Sequence, residues 1–107
     1  MPLPAACDLG IVGAGAAGLF AAIHAGRAAD DSKLPFSMVA VDTARKLGAK
    51  ILVAGGGRCN VTHHQVDEQD YAGSTPAAIR KVLKRYGVAE VVEFFAKAGV
   101  ELKREET

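Results

Sequence analysis

The chain has no tryptophan, only four phenylalanines and two tyrosines, and two cysteines in 107 residues. Cys7 and Cys59 are too few and too far apart for a disulfide framework, which excludes a stapled secreted mini-domain. No strong charge excess exists either: 13 Lys plus Arg face 12 Asp plus Glu, for a formal net charge of +1. That balance offers no electrostatic reason to bind nucleic acid or an anionic membrane. The longest apolar run, Leu9 to Ile23, is mostly Gly and Ala. It is shorter than the roughly 18–20 residues of a membrane-spanning helix. No Lys or Arg precedes Arg27, so the basic start of a secretory signal is missing. The expected location is the reducing cytoplasm. The sequon Asn60-Val61-Thr62 carries no meaning without such a signal. There is no internal repeat and no low-complexity tract.

Half of the residues are hydrophobic and 23% are charged, a globular composition. The length allows one domain at most. A chain of this size buries about 60–70% of its unfolded surface, so its core is thin. After a short Pro- and Ala-containing leader, residues 7–12 read as a buried strand that runs into Gly13-Ala14-Gly15-Ala16-Ala17-Gly18. From Ala16 to about Arg27, Leu19, Phe20 and Ile23 fall on one helix face, with Gly26 and Arg27 suited to the last turn. Residues 28–35 read as a loop ending in Pro35, and residues 36–42 as a second strand, apolar until Asp42. Strand, turn, helix and strand make a βαβ unit with parallel strands and a right-handed crossover. Lys46 to Val53 is mixed, and residues 61–74 are polar without periodicity. Thr75-Pro76 signals a helix start. Ile79, Val82, Leu83 and Tyr86 continue it to a break at Gly87. Val88, Val91, Val92 and Phe95 form a second apolar stripe closed by Gly99.

Gly13-x-Gly15-x-x-Gly18 sits where a dinucleotide turn belongs, after a strand and at the start of a helix. The first glycine permits the turn, the second lets backbone approach a pyrophosphate, and the third lets the helix pack on the strand. The helix N-terminus then presents free N–H groups and the positive end of its dipole. Asp42, at the end of the second strand, is placed to accept hydrogen bonds from a ribose diol. The alternative is a tight strand–helix turn without a ligand. An acid at this position disfavours the 2′-phosphate of NADP and leaves FAD and NAD open.

Gly55-Gly56-Gly57-Arg58-Cys59-Asn60 is the most unusual segment. Its glycines let backbone lie against a flat or phosphate-bearing ligand, Arg58 carries a permanent planar charge, and Asn60 both donates and accepts. A flexible surface loop is the bland alternative. Cys59 reads as a small buried residue more readily than as a redox thiol, since no second cysteine lies nearby. Cys59, His63 and His64 make a poor zinc set, so no metal is expected. His24 and the two later helices read as packing or solvent-facing elements.

Taken together, these segments resemble the BaiN/RdsA family. Its members are NAD(P)/FAD-dependent oxidoreductases, also labelled aminoacetone oxidase family FAD-binding flavoproteins. The resemblance rests on Gly13 to Gly18, the acid ending strand two, Lys46-Leu47-Gly48-Ala49-Lys50, and the specific run Gly55-Gly56-Gly57-Arg58-Cys59-Asn60-Val61-Thr62. Asp42 stands where the family has Glu, Ala54 where it has Ser, and His63 where it has Asn.

The resemblance implies an α/β fold: the N-terminal part of a Rossmann-like FAD-binding domain with an incomplete sheet. Residues 1–107 would form that partial domain, with the rest of the FAD domain and a substrate-side domain absent. It further implies that Gly13, Ala14, Gly15, Ala16, Ala17 and Gly18 receive the pyrophosphate and that Asp42 holds the adenosine ribose. Lys50, Gly56, Gly57, Arg58, Asn60 and Val61 would line the remainder of FAD, with NAD(P)H a further candidate as electron donor. The small-molecule substrate and the catalytic residues are unassigned. Two other readings stand beside it: a fragment of an NAD-dependent dehydrogenase, and a catalytically silent truncated nucleotide-binding module. The isolated 107-residue chain is expected to be inactive.

Overall fold

The computed structural model describes residues 3–53 and 61–104. The chain divides into two compact units, residues 1–60 and 61–107, each taken by itself below.

The first unit is a parallel βαβ arrangement. Strand β1 (Leu9–Val12) leads through the glycine turn into helix α1 (Ala16–Asp31), which returns to strand β2 (Met38–Val41). The strands pair in register, Leu9 with Met38 through Val12 with Val41. Both are shorter than the apolar runs suggest, because side chains take over at one end. The Ser37 N–H donates to Asp8 Oδ2 at 2.8 Å, and the Asp8 N–H donates to the Ser37 carbonyl at 3.1 Å. A short helix α2 (Ala49–Val53) follows β2 after Gly48, whose φ of +76° glycine adopts freely.

Glycines let α1 approach the sheet closely. A Cβ on Gly26 would come within 3.2 Å of Met38 Cε, so the helix lies close against β2 there. Gly26 is therefore an interior packing residue, and α1 continues past Arg27 to Asp31. The stop comes at Lys33, whose φ is +54°. The Leu34 N–H reaches back to the Ala29 carbonyl and the Lys33 N–H to the Asp30 carbonyl, both at 3.0 Å, closing the helix C-terminus as a Schellman motif. Glycine suits that conformation better than lysine. Lys33→Gly should raise the urea midpoint by an amount worth about 0.5–1 kcal/mol; a lowered midpoint would show that the left-handed residue is not what ends the helix.

By strand alternation, Gly10, Val12, Val39 and Val41 share the sheet face opposite Ile11 and Met38, and with Leu3, Pro4 and Cys7 they line a shallow groove. Val12 is 92% exposed there.

In the second unit a single 3₁₀ turn (Glu68–Asp70) precedes helices α3 (Pro76–Arg85) and α4 (Val88–Lys97). Thr75 caps α3 by accepting the Ala78 N–H at 3.2 Å, and Pro76 occupies the first turn. The 3₁₀ turn is tied to α3 through Arg80, whose Nε donates to Glu68 Oε1 at 2.9 Å. Gly99, with φ of +85°, ends α4, and the Val100 N–H bonds the Phe95 carbonyl at 2.8 Å. Among the described residues no helix is long and apolar enough to cross a membrane.

Candidate functional site

The site is built where β1 gives way to α1. The Gly13 N–H donates to the Val41 carbonyl at 2.7 Å, extending the parallel ladder one step beyond β1. Gly13 then turns with φ of +99°, a left-handed conformation natural to glycine. Ala14 is 3% exposed, the one buried residue among those described. Its N–H donates to Asp42 Oδ2 at 2.6 Å. The other oxygen of the same carboxylate accepts the Ala44 N–H at 2.8 Å. Asp42 thus stands between the glycine turn and the segment after β2.

These bonds set its charge state. The Ala44 N–H first, and then the Ala14 N–H, hold the Asp42 carboxyl below its ordinary value of 3.8, with a smaller contribution from the Lys50 ammonium on α2. Hydrogen bonds to the charged form favour it. Asp42 is therefore a fixed anion at neutral pH, an acceptor suited to hydroxyl donors and repellent to phosphate.

The glycines of the turn differ physically. A Cβ on Gly18 would overlap the Gly13 carbonyl oxygen and lie 2.9 Å from the Gly13 carbonyl carbon, so glycine there is demanded by the fold itself. Gly15 is the opposite case. Its φ is −81°, allowed to any residue, and a Cβ would meet nothing within 4 Å. Among the described residues nothing crowds position 15, which faces open space at the start of α1. Gly15 is also the N-cap of α1, and among the described residues no side chain caps the helix. The first N–H groups of Ala16, Ala17 and Gly18 belong to a sixteen-residue helix whose positive end lacks an acidic first-turn residue. Open room, uncapped donors and a neighbouring fixed carboxylate fit a pyrophosphate next to a ribose.

Of the residues singled out from the sequence, Gly13, Ala14, Gly15, Ala16, Ala17, Gly18 and Asp42 are brought together here. Lys50 lies on α2, close enough for its charge to act on Asp42. Val61 lies in the second unit and is 38% exposed. Gly56, Gly57, Arg58 and Asn60, with Cys59, lie outside the described residues. Sequence reasoning missed Ala44, whose main-chain N–H helps fix Asp42; a backbone donor leaves no residue-type signal to read.

The chain matches the HI0933-like protein Rossmann domain family over residues 7–107. It is 40% identical over 92 residues to a 3-dehydro-bile acid delta(4,6)-reductase of Clostridium scindens, covering 86% of this chain and 22% of that protein. It is 38% identical over 90 residues to a ribosomal RNA dihydrouridine synthase of Haemophilus influenzae, covering 84% and 21%. The ribosomal RNA dihydrouridine synthase of Escherichia coli is 34% identical over 93 residues, covering 87% and 22%. The chain thus spans about a fifth of the length of these curated relatives. The parallel β1–α1–β2 unit, its glycine turn and the family match agree: the chain belongs to the HI0933-like Rossmann domain family.

Proposed function

We propose that residues 1–107 are the ADP-binding part of an FAD-dependent oxidoreductase and that the rest of the FAD domain and the substrate-side domain complete it. The observation that carries this reading is the contrast between Gly18 and Gly15. One is required by packing; the other has open space around it among the described residues, room that an approaching ligand would use. Gly15 to Gly18 receive the pyrophosphate at the α1 N-terminus, and Asp42 accepts from the adenosine ribose hydroxyls. The family resemblance assigns Lys50, Gly56, Gly57, Arg58, Asn60 and Val61 to the remainder of the cofactor. A bound flavin supplies hydride chemistry, while the chain supplies binding, orientation and a fixed negative charge at the ribose.

Support for a partial domain comes from the sheet. Two strands apolar on both faces belong to a parallel sheet covered on both sides. Among the described residues the face carrying Val12 is open.

For the whole protein, the names of the relatives support a reductase. Delta(4,6)-reductase and dihydrouridine synthase both denote adding hydrogen to a ring carbon–carbon double bond. We assign the same class of reaction to the complete protein, with NAD(P)H as electron donor and a cytoplasmic location.

The test is the visible absorption spectrum of the purified protein, taken on the 107-residue chain and on the longest form that its gene encodes. A flavin spectrum in the long form and little or none in the short one is the expected result. No flavin in either, with NAD binding intact, would sink the FAD assignment and favour a nicotinamide-dependent dehydrogenase.

A further inference from the structure

A ribose ligand needs a carboxylate that faces the ligand; it does not need one that grips the protein's own backbone. Asp42 does the latter with both oxygens, on Ala14 at 2.6 Å and on Ala44 at 2.8 Å. The bond to Ala14 falls where the ladder runs out. Gly13 is the last residue whose N–H finds a β2 carbonyl, that of Val41, and the next N–H is received by the next residue's side chain. Two successive amides of the turn are thus fastened to two successive residues at the end of β2, and between them lies the left-handed Gly13. A turn of small residues has little side-chain packing to hold it, and each of its glycines adds freedom that must be lost on ordering.

We propose that Asp42 is a positioning residue that latches the glycine turn into its phosphate-accepting shape before any dinucleotide arrives. The carboxylate offers roughly four acceptor sites. Ala14 and Ala44 use two of them, so the latch and a ribose diol can be served by the same side chain. The Ala14 N–H is consequently committed to the protein, and the anion is left to the N–H groups that open α1. A turn held in this way loses less freedom when ligand binds, which favours affinity. The purpose of the latch rests on the dinucleotide reading, but its test needs no nucleotide.

The test is amide hydrogen exchange, read by NMR on the ligand-free 107-residue chain and on its Asp42→Asn variant. Asparagine keeps the size of the side chain but loses the charge and replaces one acceptor oxygen by a donor. The Ile11 and Val39 amides, which the parallel register bonds across the two strands, serve as internal references for the strand pair. The expected result is a protected Ala14 amide in the native chain. In Asp42→Asn its exchange should be at least tenfold faster, while the two reference amides change by less than threefold. An Ala14 amide that exchanges at the unprotected rate in the native chain overturns the latch. So does unchanged protection in the variant, or protection lost evenly across Ala14, Ile11 and Val39. A parallel titration with ADP keeps the two ideas apart. Failure of the native chain to bind ADP counts against the dinucleotide reading and leaves the exchange result standing.

Discussion

Gly18→Ala abolishes the cooperative unfolding transition of the first unit; this is the largest stability effect expected in the chain. The added methyl has nowhere to go. Its position overlaps the Gly13 carbonyl oxygen, lies 2.9 Å from the Gly13 carbonyl carbon, and is 3.3 Å from Ile11 Cγ2. Two of these neighbours are main chain and cannot rotate aside. Moving them means changing the turn that carries the Gly13 N–H bond to Val41 and the Ala14 N–H bond to Asp42. Overpacking that only displaces side chains typically costs about 1–3 kcal/mol, and displacing backbone costs more. Domains have roughly 5–15 kcal/mol in total to lose. This unit sits at the low end of that range on burial grounds, with Ala14 the one buried residue among those described. The check is a thermal or urea melt followed by far-ultraviolet circular dichroism. A midpoint unchanged within error would mean that the turn yields to the added methyl and that packing does not demand glycine at 18.

Gly15→Ala is expected to do the reverse: leave the fold alone and remove the ligand. The backbone at 15 is already in a region open to alanine, and the new methyl meets no protein atom. The change in stability should stay within about 1 kcal/mol, since alanine is a clearly poorer N-cap than glycine but is less free in the unfolded chain, and the two effects oppose each other. The methyl would instead stand where a pyrophosphate must approach the first N–H groups of α1. Affinity for ADP should fall roughly 100-fold, about 2.7 kcal/mol, since each tenfold is about 1.4 kcal/mol. Isothermal titration with ADP, alongside a melt of the same sample, decides it. Undiminished affinity would place the ligand elsewhere and remove the main support for the proposed function. Two alanines three residues apart thus separate a glycine kept for packing from a glycine kept for binding.

Much of the βαβ unit was legible in the residues. The apolar runs before Gly13 and before Asp42 become β1 and β2, and Thr75-Pro76 opens α3 where its capping chemistry places it. These signals are local: a strand's apolar run, a hydroxyl before a proline and a glycine at a break are read from neighbours in sequence. The end of α1 was not legible. Gly26 reads as a terminator only when its surroundings are unknown; against Met38 it is a contact residue. The true stop is a left-handed Lys33, a residue type with no preference for that conformation. Helix α2 was hidden for a similar reason, being a five-residue turn too short to show a period.

The sequence by itself determined the chemistry available at the site: three glycines at the spacing of a dinucleotide turn, an acid at the end of the next strand, and a near-neutral surface. Those are matters of residue type and interval, fixed before folding. Only the tertiary structure decided how they divide the work. Parallel pairing sets Asp42 against Ala14, 28 residues away along the chain. The approach of α1 to β1 makes Gly18 indispensable to the fold, and the same approach leaves Gly15 facing open space. Such distinctions depend on distances between residues remote in sequence, and no local pattern of residue types encodes them.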